Sequence, residues 1–167
     1  MTTADFFTTQ RLSLSPLTLN ENHFIKELVN SEGWIKFIGN RNVHSVEDAN
    51  SYIQRILANP KVKYWVVKLN DSNTSIGVIT FIKRDYLDAP DIGFAFLPQY
   101  NNSGYAYEAA HEVLTQLKQL NTNYAYIMAT TIPSNESSIR LLTKLGLEFN
   151  KEIEVEKEKL RVYAVGI

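Results

Sequence analysis

The chain has 167 residues, 44% hydrophobic and 21% charged, with a formal net charge of −1. That length and balance suit one soluble domain, 1–167, with a single sizeable core, and exclude a disordered chain. The near-neutral charge argues against nucleic acid as a partner, the lack of cysteine removes disulfides, thiol nucleophiles and Cys-type zinc sites, and His23, His44 and His111 have no ligand spacing, so no metal is expected. The N-terminal run MTTADFFTTQ has no basic region followed by an apolar core, and no apolar stretch approaches the ~18 residues of a membrane span. The expected location is the cytoplasm, with no membrane partner.

In chain order, Leu12 and Leu14 alternate with polar residues before Pro16, which predicts a first strand. Asn20 is read as the cap of a helix carrying Phe24, Ile25 and Leu28, and Gly33 to Asn42 as irregular with a short helical piece. Ser45 with Asp48 three residues later resembles a capping box and opens a helix with Ala49, Ile53, Ile56 and Leu57 on one face, stopped by Asn59-Pro60. Strands follow at Tyr64–Leu69 and Ile76–Lys83, joined by the hairpin-grade turn Asn70–Thr74, and a third runs from Asp91 to Leu97. A long helix after Gly104 carries Ala106, Ala109, Ala110, Val113, Leu117 and Leu120 on one stripe. Tyr124–Thr130 is a strand, Ser134 or Asn135 caps the next helix, and Gly146 ends it in a left-handed conformation. Ile153 and Val155, then Leu160, Val162 and Ala164, predict two closing strands, the mixed-charge run Lys151–Lys159 forming a solvated edge hairpin. The order β-α-α-β-β-β-α-β-α-β-β predicts a mixed α/β sheet.

The segment Asp91–Ala109, DIGFAFLPQYNNSGYAYEA, carries the strongest chemical signal. A strand runs into Pro98 and a small-residue loop, and Gly104 opens the helix. The first turn of a helix has N–H groups without intrahelical partners, and the dipole adds positive potential there, so such a junction suits a pyrophosphate. Asn101, Asn102, Ser103 and Gly104 tolerate the left-handed angles that turn loop N–H groups toward an anion. The same residues also make a plain helix start, and local chemistry leaves both readings open. A second segment follows: the strand-like YAYIMAT, then PSNESSIRLLTKLGLEF from Pro133 to Phe149.

Together the two segments resemble the two cofactor motifs of the GCN5-related N-acetyltransferases (the GNAT superfamily), in the branch that contains the ribosomal-protein alanine N-acetyltransferases. The loop pattern P-x-Y-R-G-x-G-Y-A-x-E-A is matched by Pro98, Tyr100, Gly104, Tyr105, Ala106, Glu108 and Ala109. The second, N-x-x-S-x-x-x-x-x-K-x-G-F, is matched by Asn135, Ser138, Lys144 and Gly146, with Leu147 for Phe. Gln10–Leu14, Ser45–Ala49 and Ile76–Ile79 add to the likeness, which covers roughly residues 8 to 165.

The resemblance implies a single-domain, mostly antiparallel sheet flanked by helices, whose central strands splay to admit the pantetheine arm of acetyl-CoA. It implies transfer of the acetyl group to a primary amine, on a protein N-terminus or a small molecule, by direct attack in a ternary complex. Cofactor contacts are expected from Phe96, Leu97, Asn101, Asn102, Ser103, Gly104, Tyr105, Ala106 and Asn135, with the N–H groups around Phe96 and Leu97 facing the thioester oxygen. Asn101 and Asn102 stand where the family usually has Arg and Gly, which predicts weaker cofactor binding. Leu142 replaces the tyrosine that in many relatives protonates the departing thiolate; in the branch this chain resembles, the serine matching Ser138 is the proposed donor, which makes Ser138 the expected acid. A serine or asparagine at a helix start also serves as a local cap. Asp91 is the candidate general base, the alternative being a strand-end aspartate facing solvent. Trp34, Phe37, Tyr64, Trp65, Tyr86, Phe94 and Phe96 line an acceptor groove or fill the core. Two rival readings are a catalytically silent CoA-binding module of the same fold and an α/β domain unrelated to acyl transfer.

Overall fold

A computed structural model of the chain describes residues 5–120 and 123–167; the first four residues of the N-terminal run considered for a leader lie outside them. Eight strands form one sheet: β1 (Phe7–Thr8), β2 (Leu12–Pro16), β3 (Val62–Leu69), β4 (Ser75–Ile82), β5 (Asp91–Phe96), β6 (Tyr126–Thr131), β7 (Glu148–Val155) and β8 (Glu158–Gly166). Their spatial order is β1-β2-β3-β4-β5-β6-β8-β7. Every neighbouring pair is antiparallel except β5 and β6. The helices are α1 (Asn22–Val29), α2 (Glu32–Phe37), α3 (Val46–Ala58), α4 (Tyr105–Gln119) and α5 (Glu136–Lys144).

The alternation of side chains along each strand gives the sheet two apolar faces. Trp65, Ile79, Ile92, Ile127 and Ala129 pack with Ala109, Val113 and Leu117 of α4 and Leu142 of α5. On the opposite face Tyr64, Val66 and Val78 pack against Ile25 and Leu28 of α1, Trp34 of α2 and Ile53 of α3. A smaller cluster on that second face joins Met128 and Val162 to Leu87 and Ala89 of the β4–β5 loop. The closing hairpin leaves β7 as the sheet edge, and charged, exposed residues blunt it.

Three local expectations change. Asn20 does not cap α1: Thr18 Oγ1 accepts from the Asn20 N–H in a short 3₁₀ turn, and α1 starts after Glu21 without a side-chain cap. The two-residue β1 goes beyond the predicted order; only its pairing with Leu14 and Ser13 makes Phe7–Thr8 a strand. Leu120 falls past the end of α4 and is 40% exposed, while Leu114 takes its place in the core. Ser45 behaves as expected, accepting from the Asp48 N–H at 3.0 Å; the shorter Asp48 side chain reaches the His44 N–H at 2.9 Å, one residue before the cap.

Candidate active site

The parallel neighbours β5 and β6 meet at a single pair, Asp91 and Met128, with Met128 N–H donating to Pro90 O at 2.9 Å. Beyond that pair the strands separate. In an antiparallel ladder, successive N–H groups point to alternate sides. Leu97 N–H donates to Ile76 O at 2.9 Å, so the N–H groups of Leu97, Ala95 and Gly93 serve β4, while those of Phe94 and Phe96 face the gap toward β6. This corrects the expectation for Leu97. Its N–H is spent in the sheet and its side chain is buried against the α1–α3 core, so Phe94 and Phe96 supply the free donors. A chain carrying amides suits this gap as a further strand would, because both edges present backbone groups unpaired across it among the described residues.

The gap opens toward two helix starts, since α4 follows β5 and α5 follows β6. Pro98–Tyr100 make a 3₁₀ turn, Asn101 is extended, and Asn102 takes φ 63°, the left-handed angle its residue type tolerates. Gly104 stands at the N-cap of α4 with φ 81° and ψ 3°. That conformation, more than space, calls for glycine, since a Cβ there would meet only the Arg11 Nη2 at 3.3 Å. Asn101 to Gly104 are exposed, Tyr105 and Ala106 half-buried. Glu108, one turn into the helix, accepts from Thr9 Oγ1 at 2.6 Å, the Arg11 backbone N–H at 2.9 Å and Arg11 Nε at 2.7 Å. Burial pulls its carboxyl up, but the bonds from Thr9 and Arg11 outweigh it and hold the group below the usual range. Glu108 thus ties the β1–β2 turn to the loop.

At the other lip, Asn135 Oδ1 caps α5 by accepting from the Ser138 N–H at 3.2 Å. β6 and β7 both run antiparallel to β8, so α5 returns from the mouth of the gap back along the sheet. Asn135 lies at the mouth and Ser138 farther in. The Ser138 hydroxyl is half-buried and makes no hydrogen bond among the described residues, whereas Leu142, a turn on, is 1% exposed in the core.

A sequence profile described as the acetyltransferase (GNAT) domain matches residues 11–148, most of the chain. The chain belongs to the GNAT acetyltransferases. Its co-substrate is acetyl-CoA, the acetyl donor of that family. It is 31% identical over 141 residues to the uncharacterized N-acetyltransferase YnaD of Bacillus subtilis strain 168, which covers 84% of this chain and 81% of the relative. Its fold is similar to that of the ribosomal-protein-S5-alanine acetyltransferase from Vibrio fischeri, at 17% identity, TM-score 0.80 and 96% of each chain. It is also similar to a spermidine N-acetyltransferase from Vibrio cholerae in complex with CoA and spermine, at 14% identity, TM-score 0.79 and 95% and 96% of the two chains.

In this acetyltransferase Asp91 is buried at 3% exposure, which overturns the alternative of a solvent-facing strand end. It stands at the closed end of the gap, on the face away from α4 and α5, where Oδ2 accepts from Arg84 Nε at 2.9 Å and Thr130 Oγ1 at 3.2 Å. Lys83 Nζ donates to the carbonyls of Arg84 (2.8 Å) and Leu87, holding the loop that carries the guanidinium. The second oxygen, Oδ1, is buried without a hydrogen-bond partner among the described residues. Burial pushes this carboxyl above its ordinary value, and Arg84 and Thr130 pull it back only in part. Arg84 and Thr130 carried no signal in the sequence, since nothing local marks them as partners of residue 91. Among the aromatics, Trp34, Tyr64 and Trp65 are core, Phe37, Phe94 and Phe96 are half-buried, and Tyr86 is 41% exposed. No helix among the described residues is long and apolar enough to cross a membrane.

Proposed function

We propose that this acetyltransferase moves the acetyl group to a cationic primary amine by direct attack, with the donor entering at the mouth of the β5–β6 gap and the amine approaching Asp91 from the opposite face of the sheet. The single observation that carries this reading is Asp91 Oδ1, a buried carboxylate oxygen at the closed end of the gap with no hydrogen-bond partner among the described residues. Such an oxygen is costly unless something donates to it, and an ammonium group does so. A carboxyl raised above its ordinary range then takes the proton that the amine loses before attack. Acetyl-CoA supplies an activated thioester. Loop N–H groups from Asn101 to Ala106 would hold its pyrophosphate, with Asn135 on its pantetheine arm. The N–H groups of Phe94 and Phe96 would face the oxygen that becomes negative in the transition state, and the Ser138 hydroxyl would pass a proton to the departing thiolate while regaining one from water.

Acetyl-CoA-dependent thiol release tests the reading directly, with amino-terminal peptides in one series and polyamines in another. Turnover with peptides alone assigns a protein N-terminus as acceptor; turnover with polyamines alone assigns a small molecule. Leu142, buried where a tyrosine acid would stand, favours a second reading, a CoA-binding module without turnover. CoA binding with no thiol release from any amine in either series establishes that one. For Ser138→Ala, kcat is expected to fall roughly ten- to a thousandfold with acetyl-CoA affinity nearly unchanged, as for loss of a general acid. A kcat within twofold of wild type assigns that proton to water.

A further inference from the structure

We infer that Arg11, from the turn between β1 and β2, is the positioning residue of the pyrophosphate loop: it aims the Gly104 N–H inward and offsets the Glu108 carboxylate that would oppose an anion at the helix start. The inference rests on the proposed placement of the pyrophosphate at this loop.

Arg11 Nη1 donates to Ser103 O at 2.9 Å. In a trans peptide the carbonyl and the following N–H point in opposite directions. Holding the Ser103 carbonyl out toward Arg11 therefore turns the Gly104 N–H the other way. A free Ser103–Gly104 peptide, flanked by a glycine and next to Asn102 at positive φ, has little of its own to choose between the two orientations. Arg11 is itself held at both ends. Its backbone N–H donates to Glu108 Oε1 at 2.9 Å, its Nε pairs with Glu108 Oε2 at 2.7 Å, and its Cζ lies 4.4 Å from the centre of the Tyr105 ring. The fork geometry is what allows one side chain to hold a carboxylate and a carbonyl at once.

Charge adds a second effect. Leu97 to Ala106 include no lysine or arginine, and the first acidic residue of α4, Glu108, opposes an anion at the helix start. Arg11 neutralises Glu108, and its side chain, 42% exposed, places Nη2 beside Gly104. The guanidinium thus offsets the acidic charge at the helix start from a residue 92 positions away from Ser103.

Arg11→Met removes the donors while keeping the stem, and Arg11→Lys keeps the charge but offers one nitrogen in place of the separate Nε and Nη1 donors that face Glu108 and Ser103. Calorimetry with CoA on each folded variant, and steady-state kinetics with acetyl-CoA and with S-acetylpantetheine, which has no pyrophosphate, separate the possibilities. We expect Arg11→Met to bind CoA roughly ten- to a hundredfold more weakly, with the kinetic loss in the KM for acetyl-CoA and not in kcat. Arg11→Lys should recover part of that loss. The kcat/KM for S-acetylpantetheine should stay within about twofold of wild type in both variants. Equal losses with both donors would overturn the inference, since they mark a general structural role, and so would wild-type CoA affinity in Arg11→Met. Wild-type protein that fails to bind CoA would instead remove the placement of the pyrophosphate, and this inference with it. A lower melting temperature of Arg11→Met with unchanged CoA affinity counts as a structural role and overturns it too.

Discussion

Gly104→Val is expected to abolish acetyl-CoA binding while the protein still folds. At φ 81° a side chain with a Cβ is disfavoured by roughly 1–2 kcal/mol, and a β-branched one by more. The loop escapes that strain by rotating the peptides around residue 104, which turns their N–H groups away from the pyrophosphate. Gly104 is exposed and lies outside the core, so the global stability of a domain, about 5–15 kcal/mol, absorbs the local cost. Calorimetry with acetyl-CoA, with a thermal melt as control, measures both effects. Gly104→Asn provides the contrast. Asparagine accepts left-handed angles better than valine, so this variant should retain most of the affinity if backbone conformation is the requirement. An Asn variant as weak as the Val variant would show that bulk beside Arg11 is what matters. Wild-type affinity in the Val variant would remove the cofactor from this loop.

Asp91→Asn is expected to lower kcat on the order of a hundredfold, to raise the acceptor KM, and to leave acetyl-CoA affinity unchanged. The amide keeps the shape and can still accept from Arg84 or Thr130, but it neither attracts an ammonium group nor takes a proton. The pH dependence carries its own sign. A base must be ionised to act, so the rate falls as pH drops through its pKa. Because burial raises the Asp91 carboxyl, the acidic limb of the wild-type profile should lie above the ordinary carboxylate range near 4, and it should vanish in Asp91→Asn. Arg84→Met gives the opposite displacement: without the guanidinium at 2.9 Å, the carboxyl rises further and the limb moves to higher pH. Unchanged acceptor kinetics with an unchanged profile in Asp91→Asn would leave the Arg84–Asp91 pair as a structural ion pair and deprotonation to water.

The order of elements was legible in the sequence because it depends on nearest neighbours. Ser45 before Asp48, Asn135 before Ser138 and Gly146 after Leu145 each make contacts within a few positions of themselves, and each stands as the local chemistry requires. The shape of the loop before α4 was legible for the same reason: Asn102 and Gly104 adopt the positive φ angles their residue types allow. Asn20 misled because two capping residues, Thr18 and Asn20, compete within one turn, and packing of α1 against α3 decides where the helix begins.

What only tertiary structure decided concerns parity and partnership. Whether Phe96 or Leu97 turns its N–H toward the gap depends on the pairing of Leu97 with Ile76, and a shift of one residue would exchange the two. Asp91 is buried rather than solvated because Arg84 and Thr130, 7 and 39 positions away, converge on it under the β4–β5 loop. Arg11 meets Ser103 only because the turn after β1 lies across the start of α4. Residue types and short spacings determined the class of chemistry. Which N–H groups face the gap, the environment of Asp91 and the partner of the Ser103 carbonyl came from long-range register and burial, which no local pattern encodes.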